Sequence, residues 1–355
     1  MDIDTQSWRA LSETALPVIL GTLAMTAALI LLLFPLLRRY AVARPNARSS
    51  HTIPTPQGGG IAVIAATLVA LIGAAYSTGG YALASDHHLL AVVAATVGLA
   101  VLGMTDDIRP MAAGPRLALQ ALAVGLVAAT LPADLHVVPT LPFVAERVAL
   151  AFGLLWFVNL VNFMDGIDWM SVVEIVPVTA GLAVLTVLGA LPPLGGLAAL
   201  ALCGAMLGFA PFNRPVARLF LGDVGSLPIG LLLGWMLVLL AGRGHLVAAL
   251  LLPLYYLADA TITLVRRLAK GERLWEAHRT HFYQRALANG FDVGQVTGRV
   301  FLTNIALVVL AATTVAVPDP LVTTVALAAG AALVGLVLAR FSRPRRTRGL
   351  PHRAR

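Results

Sequence analysis

The sequence predicts an all-α integral membrane protein with about eleven transmembrane helices. Three observations carry that prediction. Only 12% of the 355 residues are charged, about half of the roughly 25% typical of soluble domains. Hydrophobic residues make up 59%, with a mean hydropathy of +0.86. The apolar residues also come in long runs, and about 18 or more in succession suffice to cross a bilayer. So little polar surface cannot coat a water-soluble globule. Lipid is therefore the solvent for most of the chain.

On a template of roughly 20 residues the predicted spans run 15–37, 59–77, 89–104, 115–131, 146–161, 171–189, 195–210, 226–241, 246–265, 295–316 and 321–339. The first is read as a retained helix. Asp2, Asp4 and Glu13 precede or enter it, where a cleaved leader would carry basic residues. Gly and Pro interrupt several spans, which membrane helices tolerate. The single cysteine, Cys203, excludes an intrachain disulfide and a Cys-based zinc site. No repeat of 20–50 residues is visible. The chain divides into a membrane domain, 1–342, and a basic tail, 343–355.

Orientation follows from the basic residues. With the N-terminus outside, all but Arg9, Arg147 and Arg243 of the 25 Lys and Arg residues lie in or beside the inside segments. That bias predicts a periplasmic N-terminus and a cytoplasmic C-terminus. It also explains the net charge of +8 without a nucleic-acid partner. The Arg-rich tail reads as a contact for anionic membrane lipids.

Five polar strings fall on the predicted cytoplasmic side. Asp106 and Asp107 close the third span. Adjacent helix positions point about 100° apart, so both cannot serve one ion from one face. One could face a metal or act as a base while the other binds Arg109 or a helix end. A solvated acidic loop is the plain alternative. Asn159, Asn162, Asp165 and Asp168 recur every three residues after the fifth span, and Gly166 allows the backbone to turn so that their oxygens converge. Such oxygen ligands suit Mg²⁺, and at membrane depth they are costly unless used. Asp223 stands in Gly-Asp-Val-Gly-Ser before the eighth span, where glycines admit phosphate and a cation would satisfy the carboxylate.

The long basic loop carries Arg266, Arg267, Lys270, Arg273, His278, Arg279 and His281. Arginines and histidines in this density suit a diphosphate better than zinc, for which a third ligand is lacking. Asp259, seven residues before Arg266, reads as its structural partner. Arg44, Arg48 and His51 sit in a Pro- and Gly-rich loop before the second span and could bind phosphate. Together the strings offer cation-binding oxygens, phosphate-binding cations and a lipid-facing body. That is the equipment of phosphoryl transfer to a lipid.

The order of these strings resembles the polyprenyl-phosphate N-acetylhexosamine-1-phosphate transferases, glycosyl transferase family 4. The resemblance runs from about Arg44 to Arg285. It rests on Arg-Pro-Asn-Ala-Arg-Ser-Ser-His with Pro-Thr-Pro-Gln-Gly-Gly-Gly, on Asp106-Asp107, on Asn-Phe-Met-Asp-Gly-Ile-Asp at 162–168, on Leu-Gly-Asp-Val-Gly-Ser at 221–226, and on His-Arg-Thr-His-Phe-Tyr-Gln-Arg at 278–285.

The resemblance implies a Mg²⁺-dependent enzyme of the bacterial inner membrane, with Mn²⁺ as a substitute. Undecaprenyl phosphate would attack a UDP-HexNAc and release UMP. Asn162 and Asp223 would hold the metal. Asp106, Asp107 and Asp165 would be catalytic, the first two serving the lipid phosphate and one of them as base. Arg44, Arg48, His51, Asn159, Asp168, His278, Arg279 and His281 would bind substrate. A homodimer is compatible with this reading. The last string looks closest to the branch that initiates O-antigen and other surface polysaccharides. The alternatives are the phospho-MurNAc-pentapeptide transferases and, in a different class, an ion-coupled transporter. Where the family has Gly after Asp-Gly-Ile-Asp this chain has Trp169, which would reshape the pocket entrance.

Overall fold

The computed structural model describes residues 5–43, 54–77, 87–273 and 278–345. Among these it contains thirteen helices and one two-stranded hairpin. In order they are α1 (Thr5–Tyr40), β1 (Val42–Ala43), β2 (Thr55–Pro56), α2 (Gly60–Ser77), α3 (His87–Ile108), α4 (Ala113–Thr130), α5 (Phe143–Met164), α6 (Met170–Val187), α7 (Pro193–Phe209), α8 (Asp223–Gly242), α9 (Leu246–Leu251), α10 (Leu254–Ala269), α11 (Phe282–Ala288), α12 (Val293–Ala316) and α13 (Pro320–Phe341). Ten of the eleven predicted spans each fall on one helix. Among the described residues eight helices are long and apolar enough to cross a membrane, and α2 and α7 add two shorter apolar ones. The protein is a multi-pass membrane protein.

Two details differ from the sequence reading. The predicted span 246–265 is broken into α9 and α10 at Leu252 and Pro253. Proline has no amide hydrogen to continue α9 and is tolerated at the start of the next helix. The basic loop is also not all loop: α10 runs on to Ala269, and α11 forms inside the loop.

Helix α8 is the axis of the bundle. Its apolar window is 94% buried, and it packs against α3, α5, α2 and α9. Helix α7 forms a second centre against α1, α6 and α2. An all-round apolar helix belongs inside a bundle, and the sequence of α8 carries no charge after Asp223. The outer helices α1, α4 and α13 bury only 17–22% of their apolar windows, as lipid-facing helices should.

Glycine permits the closest crossings. A Cβ on Gly60 would lie 2.2 Å from Cα of Gly225, so α2 meets α8 backbone to backbone. A Cβ on Gly204 would lie 2.4 Å from the Ile19 carbonyl, which fixes α7 against α1. Small residues at such contacts are the usual way that membrane helices gain packing energy.

Candidate active site

The strand segment after β2 zips onto the entry to α8. Phe220 donates its amide to the Pro56 carbonyl at 2.9 Å, and Gly59 and Gly60 donate to the carbonyls of Phe220 and Leu221, each at 2.9 Å. Gly222 then turns with φ +77, in the region that favours glycine. Its Cα is also approached by Asp107: a Cβ there would lie 2.6 Å from the carboxylate. Asp223 follows as the first residue of α8.

Asp107, at the end of α3, binds the start of α8. Its Oδ1 accepts from the Asp223 amide and its Oδ2 from the Val224 amide, both at 3.1 Å. A carboxylate is stabilised by the free amides and dipole of a helix N-terminus. Gln57 donates from Nε2 to the backbone carbonyl of Asp107 at 2.9 Å. From α5, Asn162 donates from Nδ2 to Oδ1 of Asp223 at 2.7 Å and to Oγ of Ser226 at 2.9 Å.

Past the end of α5, Gly166 lies so near the Tyr283 hydroxyl that a Cβ would sit 2.1 Å from it. That hydroxyl donates to the Phe163 carbonyl at 3.0 Å. Asp165 accepts from the Ser171 hydroxyl. Burial pushes its pKa up to about 7, and the carboxylates of Asp223, Asp107 and Asp168 push the same way, while Ser171 opposes them. Asp168 accepts from the Ala217 amide at 2.9 Å and so straps the loop before α8.

These groups line one cavity of about 460 Å³, with Asp107, Asn162, Asp165, Asp168, Asn213, Asp223 and Gln284 among its polar walls and Ile167, Val216, Phe220, Leu221, Leu287 and Val293 among its apolar ones. Its size is that of a small-molecule site. The ends of α3 and α5, the starts of α8 and α12, helix α11 and the loops before α6 and α8 meet there. The described parts of the strings at 54–60, 106–107, 159–168 and 221–226 thus gather at one end of the bundle.

Not every candidate residue reaches the cavity. Asp106 turns away from Asp107 and pairs with Arg116 at 2.7 Å, also accepting the Met111 amide at 2.6 Å. The sequence reading had named Arg109 or a helix end as the partner. Asp107 takes the helix end, and Arg116 rather than Arg109 takes Asp106. Asn159 is buried between helices, donating to Gln120 at 2.8 Å and to the Leu155 carbonyl at 2.9 Å. It lies one turn before Asn162 but on the α4 side.

His281 is 2% exposed. It meets Asp259 through Nδ1 at 3.2 Å and stacks between His278 and Tyr283, with centroids at 4.9 and 5.8 Å. Asp259 also accepts the amides of Phe282 and Tyr283, at 2.9 and 3.1 Å. It therefore docks the His loop and α11 onto α10, whereas Arg266 covers the Phe282 ring at 4.6 Å. The expected Asp259–Arg266 pair is replaced by this capping. His278 is pushed down to about 4, first by burial and then by neighbouring His281 and Arg267, so it is neutral at pH 7. Neither histidine lines the cavity, and Arg279 lies exposed beside them. Arg44, Arg48 and His51 lie outside the described residues.

Trp169 has φ +63, a conformation that glycine adopts without strain and that costs other residues roughly 1–2 kcal/mol. Its amide donates to Oδ1 of Asn213 and its indole to the Ala210 carbonyl, both at 2.8 Å. The side chain packs against the core and is absent from the cavity wall. It braces the loop before α8 instead of reshaping the entrance. We expect Trp169→Gly to relieve the backbone while losing the indole bond and packing. The melting temperature should therefore shift by only a few degrees, with activity retained. Loss of activity in a folded Trp169→Gly protein would place the indole in the site after all.

Sequence reasoning passed over Gln57, Asn213 and Gln284 as site residues. Gln57 and Gln284 stood inside quoted strings, so the signal was the string itself, whereas Asn213 lay upstream of the string around Asp223. Oε1 of Gln284 is buried without a hydrogen-bond partner among the described residues, which leaves an acceptor for a ligand. Among the described residues no three His, Cys, Asp or Glu side chains are grouped to hold a metal ion by themselves. A Mg²⁺ site would not need such a group, because the ion keeps several waters and takes one or two carboxylates with substrate phosphates. Asp223, with the Asn162 amide against it and the Asp107 and Asp165 carboxylates as neighbours, is the donor set that fits.

Residues 89–241 match the model of glycosyl transferase family 4. Two bacterial relatives share more of the chain. A Bacillus subtilis protein named as a probable undecaprenyl-phosphate N-acetylglucosaminyl 1-phosphate transferase is 23% identical over 74% of this chain and 75% of its own. A Mycolicibacterium smegmatis protein named decaprenyl-phosphate N-acetylglucosaminephosphotransferase is 29% identical over 81% of both chains.

Proposed function

We propose, from the premise that the chain belongs to glycosyl transferase family 4, that it moves an N-acetylhexosamine 1-phosphate from a UDP-sugar to undecaprenyl phosphate at the cytoplasmic face. The observation that carries the proposal is the meeting of Asp107, Asp165 and Asp223 with Asn162 in one cavity at one end of an apolar bundle. The names of the relatives support N-acetylglucosamine as the first sugar to test.

In the reaction a phosphate oxygen of the lipid bonds to the β-phosphorus of the UDP-sugar. The bridging oxygen leaves with its electron pair on UMP, and the product is a polyprenyl-diphospho-sugar. Bound Mg²⁺ would neutralise phosphate oxygens as charge develops, with Asp223 and Asn162 as its holders. Asp107 keeps Asp223 in place by gripping the first amides of α8. Asp165 takes a proton from the acceptor phosphate; a base near pH 7 is well matched to that task. Asp168 and Asn213 hold the loop that carries Val216, Ala217 and Phe220, the apolar wall for the nucleotide. The His-Arg-Thr-His-Phe-Tyr-Gln-Arg string supports a surface polysaccharide such as O-antigen as the destination of the product.

The decisive assay is UMP release by purified protein given undecaprenyl phosphate, Mg²⁺ and a panel of UDP-HexNAc donors with UDP-MurNAc-pentapeptide. Release that needs both lipid and Mg²⁺ is expected. Preference for the pentapeptide donor would move the chain to the peptidoglycan branch, and no release from any donor would leave the carrier reading standing. A pH profile tests the base. A base must be unprotonated, so kcat/KM should fall below its pKa and level off above it. Ser171 stabilises the Asp165 anion, so Ser171→Ala should move the acidic limb to higher pH. An unmoved limb would remove Asp165 from the role.

A further inference from the structure

Beyond the cavity, the inner ends of α12 and α13 carry a cluster of four arginines beside one acid, Asp292. Arg299 and Arg340 both lie over the ring of buried Phe291, at 5.2 and 4.7 Å from its centroid. Arg343 and Arg345 follow directly after α13. The turn between α11 and α12 is tied to that end: Asn289 donates to the Phe341 carbonyl at 2.7 Å and accepts the Arg345 amide at 2.9 Å. None of the four arginines forms an ion pair among the described residues. The adjacent acid, Asp292, is spent on capping α12 through the Gln295 amide. Arg299 makes one bond inside its own helix, to the Gln295 carbonyl at 2.7 Å.

Two guanidinium groups held near one aromatic ring concentrate positive charge at this end of the two helices. That charge attracts an anion. The surface that continues from the cluster says which anion. Leu302, one turn along α12 from Arg299, is 68% exposed, and Leu336, one turn before Arg340 on α13, is 70% exposed. Phe301, Ile305 and Val309 extend the same uncovered apolar face. Cations at the end of such a face lie where headgroup phosphates meet acyl chains.

We propose that α12 and α13 bind an anionic phospholipid, its headgroup phosphate held by Arg299 and Arg340 and its acyl chains lying along Leu302 and Leu336. The site is separate from the catalytic cavity and does not depend on the proposed transfer reaction. Both arginines are exposed, so replacing them leaves the bundle intact.

The test is native mass spectrometry of the full chain in detergent, titrated with palmitoyl-oleoyl phosphatidylglycerol and with the matching phosphatidylcholine. The double variant R299Q/R340Q should bind phosphatidylglycerol about thirtyfold more weakly, from the usual contribution of each basic residue near an anionic surface. Its phosphatidylcholine binding and melting temperature should not change. The control is R38Q/R39Q, which removes two exposed arginines from the inner end of α1 and should have a several-fold smaller effect. Equal losses in both variants would mean diffuse charge and overturn the site. Matching loss of inorganic phosphate binding would reduce it to a free-anion site, and loss of undecaprenyl phosphate binding alone would make it an acceptor site. Either result overturns the proposal.

Discussion

Asp223→Asn is expected to lower UMP release by about a thousandfold at saturating substrate, since metal-assisted charge stabilisation contributes several kcal/mol to the barrier. The substitution keeps the shape of the side chain and leaves an oxygen to accept from Asn162, now at 2.7 Å. The amide bonds to Asp107 come from the backbone and survive. The variant should therefore fold with an unchanged melting temperature while losing its charge. Isothermal titration with Mg²⁺ and substrate gives the second readout, and binding should weaken together with turnover. Near-normal turnover at low Mg²⁺ would remove Asp223 from the metal site and with it the chemistry proposed here.

Gly103→Ala is expected to damage both stability and catalysis. A Cβ at position 103 would lie 2.2 Å from the Asp223 carbonyl oxygen and 2.5 Å from the Val224 amide nitrogen. The obstacle is backbone at the first turn of α8, which cannot rotate aside as a side chain does. Helices α3 and α8 must separate, at a cost of about 1–3 kcal/mol or more. The displaced turn is the one that presents Asp223 to the cavity and its amides to Asp107. A shift of the order of 1 Å at the reacting groups costs roughly a hundredfold in rate. Gly98→Ala, one to two turns earlier on α3, has nothing within 4 Å of the added Cβ. It should leave activity intact and stability equal or slightly higher. If both variants behave alike, the close crossing at Gly103 has no functional weight.

The candidate site was legible as strings but not as an arrangement. Asp107, Asn162, Asp165, Asp168 and Asp223 are charged or amide groups at the ends of apolar runs, and a polar group at membrane depth is visible from sequence because it is expensive there. Asn159 met the same criterion and lies elsewhere, because its cost is offset by Gln120 on α4, 39 residues away. Periodicity placed it on the stripe with Asn162 but could not say which neighbour that stripe would face. Asp106 and Asp107 differ for a similar reason: their directions were predictable, their partners were not.

The sequence by itself determined that this chain is a helical membrane protein, where its spans lie and which end of the bundle gathers the polar residues. Those properties are set by transfer of side chains between water and lipid, which each residue undergoes largely on its own account. Tertiary structure decided which acids share a cavity, that Asp107 caps α8 while Asp106 pairs with Arg116, that Asp259 anchors the His loop, and that Trp169 occupies a glycine-like turn. Those outcomes depend on distances between segments far apart in the chain, and such distances are set by backbone contacts at Gly60, Gly103 and Gly225 that no local pattern encodes.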